Sequence, residues 1–106
     1  MSEWTDVAPS ADIAPGTCRV VNVDDVMIAV VNIEGSFYAI EDLCTHDGGD
    51  LASGCIEGEE IVCPRHRARF NVKSGAVTAP PAYEDIATFP VRIEDGVVQV
   101  RDDRWD

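Results

Sequence analysis

The chain is poor in positive charge, in histidine and in long apolar runs. Eight Lys and Arg stand against 20 Asp and Glu, a formal net charge of −12. A nucleic-acid binder needs a basic footprint, so the balance speaks against that class. No apolar run approaches the roughly 18 residues of a membrane span, and no membrane association is expected. The opening MSEWTDVAPS is acidic and has no basic region ahead of an apolar stretch, unlike a secretory signal. The expectation is a soluble cytoplasmic protein acting as a monomer. No apolar pattern of period 3.6 persists for three turns, which argues against long helices.

What is present fits one all-β domain spanning residues 1–106, with a modest core that a bound metal centre would help to stabilise. TCRVVNV (17–23), the turn Asp24-Asp25, VMIAVVNI (26–33), Glu34-Gly35 and SFYAIED (36–42) read as successive strands and hairpin turns. GCIEGEEIVC (54–63) reads as a hairpin turning at Glu57-Gly58-Glu59, and ARFNVKSGAVT (68–78) as another turning at Ser74-Gly75. FPVRIED (89–95) and VVQVRD (97–102), joined by Gly96, form a last hairpin. Short strands at such spacing indicate an antiparallel β-sandwich or barrel. Residues 43–54 and 63–67 lack alternation and follow strands, so they are expected to be loops at one end of the scaffold.

Those two segments carry the chemistry. Four cysteines without a signal peptide suggest metal binding or buried thiols more than disulfides. Two of them stand beside the only two histidines, as Cys44-x-His46 and Cys63-x-x-His66. Zinc accepts two Cys and two His tetrahedrally, but structural zinc sites usually draw like ligands from each knuckle. The alternating order also suits a two-iron cluster, with both thiolates on one iron and both imidazoles on the other. Gly48 and Gly49 would let amide N–H groups point at the sulfurs.

CTHDGG and CPRH resemble the two cluster-binding loops of the Rieske family, and the resemblance extends over nearly the whole chain, through EWTDVA, FYAIEDLCTH, RFNVKSG and FPVRIEDGVVQV. It implies a Rieske-type 2Fe–2S cluster with Cys44 and Cys63 on the inner iron and His46 and His66 on the outer one. It implies loops at about 43–54 and 63–69, and a proline segment, 79–82, covering one side. High-potential members carry a disulfide cysteine in each loop, where this chain has Gly49 and Arg65, and Ser and Tyr donors where it has Ala68 and Phe70. Fewer hydrogen bonds to sulfur lower the potential, so a value near the low end of the Rieske range, about −150 mV, is expected.

That pattern is similar to the ferredoxin components of bacterial aromatic-ring-hydroxylating dioxygenase systems. The resemblance implies a one-electron carrier, not itself an enzyme, between an NAD(P)H-dependent flavin-containing ferredoxin reductase and a terminal Rieske oxygenase. An alternative is the small Rieske-like subunit of an NADH-dependent nitrite reductase; a zinc-stabilised interaction module is a second. Residues 1–60 hold 13 acids and one base, whereas four of the eight bases fall within residues 65–73. The acidic body is a candidate steering field, with Arg65 and Arg67 as candidate docking contacts. Cys18 and Cys55 are expected to be structural, Trp4 and Trp105 to close the ends of the barrel, and Phe37, Tyr38 and Phe70 to support core or loops.

Overall fold

The computed structural model describes residues 3–104, so Trp105 lies outside the described residues. Among these, eleven strands form three antiparallel sheets, with one 3-10 turn at Ser10–Asp12. The first strands are β1 (Thr5–Pro9), β2 (Cys18–Val23), β3 (Val26–Ile33) and β4 (Ser36–Glu41). A second run comprises β5 (Cys55–Glu57), β6 (Glu60–Val62), β7 (Arg69–Asn71) and β8 (Val77–Ala79). The last are β9 (Thr88–Phe89), β10 (Val91–Glu94) and β11 (Val97–Val100). The sheet orders are β1-β11-β10, β2-β3-β4-β9 and β5-β6-β7-β8.

Turn chemistry fixes the registers. Val23 pairs with Val26, Ile33 with Ser36, Glu57 with Glu60 and Glu94 with Val97, so each hairpin closes on two residues. Asp24, Asp25 and Glu34 accept positive φ there, as a twist-matched hairpin turn requires. The hairpin expected at Ser74-Gly75 is longer: the Asn71 N–H donates to the Ala76 carbonyl, and the Asn71 carboxamide oxygen accepts from the Lys73 and Ser74 amides.

Two features depart from the expected strands. β1 was not foreseen; it pairs with β11 across an irregularity between Asp6 and Ala8, which blurs its alternation. FPVRIED is not one strand. Pro90 offers no N–H to a ladder, and the chain crosses there from β9, paired with β4, to β10, paired with β11.

Strand β3 lies between two cores, which is why its sequence is a continuous apolar run. Ile28 and Val30 pack with Ala8, Ile13, Phe89, Val98 and Val100. Ala29 and Val31 face the other way, toward Ile40, Leu51, Ile61, Phe70 and both cysteines of the motif, Cys44 and Cys63. The second core therefore ends on the site, and Phe70 is fully buried in it, as expected of a support.

Candidate metal centre

Both motif segments are loops that share one backbone frame. In residues 43–54, between β4 and β5, the Cys44 N–H donates to the Gly49 carbonyl at 2.7 Å and the Gly48 N–H to the Cys44 carbonyl at 2.8 Å. In residues 63–68, between β6 and β7, the Cys63 N–H donates to the Ala68 carbonyl at 2.8 Å and the Arg67 N–H to the Cys63 carbonyl at 3.0 Å. Each frame needs a left-handed residue four places after its cysteine, Gly48 (φ 76°) in one loop and Arg67 (φ 61°) in the other.

The frame buries the thiols and exposes the imidazoles. Cys44 and Cys63 have no accessible surface, whereas His46 and His66 are exposed. The two rings meet edge to face with centroids 5.1 Å apart. The Cys44 and Cys63 sulfurs and an Asp47 carboxylate oxygen lie within 4.8 Å of one another. Burial pushes the Cys44 thiol up, while the Asp47 and His46 amides donate to its sulfur and partly offset that rise. The amides facing this sulfur are therefore not those of the glycines. Gly48 N–H is committed to the Cys44 carbonyl and Gly49 N–H to the Asp47 carboxylate at 2.9 Å.

Gly49 has another use. A Cβ there would stand 2.6 Å from Cζ of Arg65, so the bare backbone makes room for a guanidinium from the opposite loop. Arg65 Nε donates to Asp47 Oδ2 at 2.6 Å, and its Nη atoms donate to the Asp50 carboxylate at 3.3 Å and the Asp50 carbonyl at 2.5 Å. That guanidinium holds the Asp47 carboxyl well below the usual carboxylate range. Arg65 is thus ion-paired to the opposite loop while still exposed, and Arg67 is exposed beside His66.

Three further contacts position the tip, of which only the proline segment is singled out by the sequence. Asp42 Oδ1 accepts from the Leu51 and Ala52 amides at 2.7 and 2.8 Å, closing the first loop at its base. Thr45 Oγ1 donates to the Glu84 carbonyl at 2.7 Å, tying that loop to the segment after the prolines. Ala82 packs in the same core as Cys44 and Cys63, next to the cis Pro80-Pro81 bond. The signal for Asp42 was available: a carboxylate just before a loop commonly accepts its amides.

The other candidates are peripheral. Cys18 is half-buried and its Sγ donates to the Ala52 carbonyl at 3.4 Å, whereas Cys55 is exposed rather than packed. Neither forms a disulfide. Trp4 lies under the guanidinium groups of Arg92 (4.4 Å) and Arg101 (5.5 Å), on the sheet of β10 and β11.

The donor set divides into a buried thiol pair and an exposed imidazole pair. One tetrahedral zinc would draw all four donors to about 3.5 Å of each other, given Zn–S and Zn–N bonds of about 2.3 and 2.0 Å. The imidazoles stand outside the group that Cys44, Asp47 and Cys63 form. Two unlike irons, one thiolate-bound and one imidazole-bound, fit that division.

Comparison with known proteins agrees. The model of the Rieske [2Fe-2S] domain family matches residues 3–90. The ferredoxin component of the naphthalene 1,2-dioxygenase/salicylate 5-hydroxylase systems of a Ralstonia species is 40% identical over 98 residues, covering 92% of this chain and 94% of the relative. The naphthalene 1,2-dioxygenase ferredoxin component of Pseudomonas putida is 37% identical, over 87% of this chain and 88% of its own. A solved chain from a complex of reduced oxygenase and oxidised ferredoxin in carbazole 1,9a-dioxygenase superposes with a TM-score of 0.88 at 38% identity, covering 92% of this chain and 91% of that one. A nitrite reductase small subunit from Mycobacterium tuberculosis reaches a TM-score of 0.86 at 20% identity, a likeness of fold alone. The chain belongs to the Rieske [2Fe-2S] domain family, and its cofactor is a Rieske-type 2Fe–2S cluster.

Proposed function

We propose that this protein is the ferredoxin of an aromatic-ring dioxygenase system, a soluble monomer taking single electrons from an NAD(P)H-dependent flavin reductase to a terminal Rieske oxygenase. The whole chain serves as one Rieske-type domain. Cys44 and Cys63 hold the inner iron and His46 and His66 the outer one, in loops 43–54 and 63–69, with residues 79–82 covering one side. The cluster, when bound, supplies a one-electron couple. The rest is the work of the chain. Buried Cys44 and Cys63 keep water from the thiolate side, and exposed His46 and His66 bring the imidazole edge to the surface. That exposed pair of rings over a buried pair of thiols is the observation that carries the reading, because electron exchange needs close approach without substrate entry. A ferredoxin of similar fold and 38% identity is found in complex with an oxygenase, which supports an oxygenase as the electron acceptor.

The test is reconstitution. Purified holoprotein should be red-brown, bleach with NADH and a ferredoxin reductase, and be reoxidised by an aromatic-ring oxygenase with product formed. Omitting it should abolish product, and Cys44→Ala or His66→Ala should remove the Rieske absorption and EPR signal. Colourless zinc-loaded protein, or co-purification with a large sirohaem subunit and no transfer to any oxygenase, would overturn the reading.

A further inference from the structure

We propose that Arg65 is a positioning residue that clamps the two ligand loops together and sets the charge felt by the thiolate side of the cluster. The inference rests on the ligand assignment proposed above and goes beyond it. Arg65 sits in the second loop, between Cys63 and His66, and all its ion-pair partners are in the first. Its Nε bonds Asp47 at 2.6 Å, next to His46, and its Nη atoms take both the carboxylate and the carbonyl of Asp50. One Nη also points at Cys63 Sγ, 3.4 Å away. Gly49, whose Cβ would collide with Cζ, leaves the fork a flat backbone surface to lie on. A planar fork with several fixed donors suits that span; a lysine could reach one acceptor at a time.

The charge count gives the clamp a reason. Asp47 Oδ2 lies 3.9 Å from Cys63 Sγ, so without Arg65 the Asp47 carboxylate would face that thiolate uncompensated. Reduction would add one negative charge to the cluster that these sulfurs hold. A guanidinium donating toward a ligating sulfur stabilises the reduced state, and its loss stabilises the oxidised one. Exposed ion pairs contribute little to global stability, so the effect belongs to the site and is read there.

The test uses purified holoprotein and three substitutions, Arg65→Met, Arg65→Lys and Asp47→Asn. Release of the cluster to a chelator, followed by visible absorption, should be at least tenfold faster in Arg65→Met and in Asp47→Asn. The two should part in potential: Arg65→Met shifts it negative, whereas Asp47→Asn, which removes an anion, shifts it positive. Arg65→Lys keeps the charge without the fork, so its potential stays near wild type while release remains fast. Unchanged release and potential in Arg65→Met, or shifts of the same sign in both variants, would overturn the clamp. Amide hydrogen exchange across residues 44–52 provides a readout that needs no cluster; it should quicken in Arg65→Met. Absence of a Rieske spectrum in wild type, together with that quickening in Arg65→Met, would sink the ligand assignment and leave the clamp standing.

Discussion

The two ligand loops build the same frame around a cysteine and are held in place by different means. The second loop joins β6 to β7, and the pair Val62–Arg69 closes it directly, so the sheet itself brings Cys63 and His66 into position. The first joins β4, in one sheet, to β5, in another, and no ladder closes it. Side chains do that instead: Asp42 gathers the Leu51 and Ala52 amides, Thr45 ties the tip to Glu84, and Asp50 accepts from the Ser53 amide. Loop length and topology, not the ligands, decide how much side-chain bonding a site needs. A hairpin loop inherits its geometry, whereas a crossover loop has to build its own.

The largest effect should come from breaking the first loop's closure. Asp42→Ala leaves two partly buried amides without the carboxylate they share. Hydrogen bonds to a charged group are worth about 1.5–3 kcal/mol each, and water recovers part of that, so a net loss of about 2–4 kcal/mol is expected. Denaturant unfolding should show it, accompanied by faster cluster release. A loss below about 0.5 kcal/mol would mean that packing of Leu51 alone holds the loop.

That contrast also explains what was legible beforehand. The hairpins were readable because two-residue turns and alternation are local signals, and the pairs Cys44-x-His46 and Cys63-x-x-His66 stand out because the spacing within each is local too. β1 was missed because its partner, β11, is distant in sequence and its alternation is broken at Asp6 and Ala8. Arg65 is read from sequence as a docking charge and, with Gly49, as the place of an absent disulfide, but not as a clamp. Its partners Asp47 and Asp50 lie in the other loop, so nothing near it in the sequence distinguishes a clamp from a solvated surface residue. Gly49 is read from sequence for its backbone and for that absent disulfide, whereas the space its missing Cβ leaves is taken by a side chain sixteen positions away.

A smaller effect tests whether the two frames are truly alike. Both need a left-handed residue after the cysteine, and the space around Gly48 is empty to 4 Å, so only backbone strain opposes a side chain there. Gly48→Ala should therefore destabilise by about 1 kcal/mol, the usual cost of that conformation for an L-residue. The second loop already bears this cost at Arg67, and Arg67→Gly should recover up to about 1 kcal/mol. Opposite signs from substitutions at matching places would establish the equivalence by unfolding alone. A destabilised Arg67→Gly would show that the guanidinium makes contacts outweighing the strain.

The smallest effect concerns the hairpin beneath the second loop. Arg69, whose strand closes that loop, donates to Glu60 at 3.0 Å and to Glu57 at 2.8 Å. Hydrogen bonding from the Thr78 side chain and then from Arg69 holds the Glu60 carboxyl below the ordinary glutamate range. A carboxyl whose folded pKa lies below its unfolded one stabilises the fold above the unfolded value, and that contribution is lost as pH falls through the folded one. Glu60→Gln should therefore differ little from wild type under strong acid. The two should separate as pH rises through about 4.5, where the unfolded carboxyl ionises, with wild type gaining the advantage. Denaturant midpoints measured from about pH 3 to pH 7 would reveal the separation, which should be modest because the pair is solvent-screened. Parallel curves would mean that the ladder alone closes the second loop, making its contrast with the side-chain-pinned first loop sharper still.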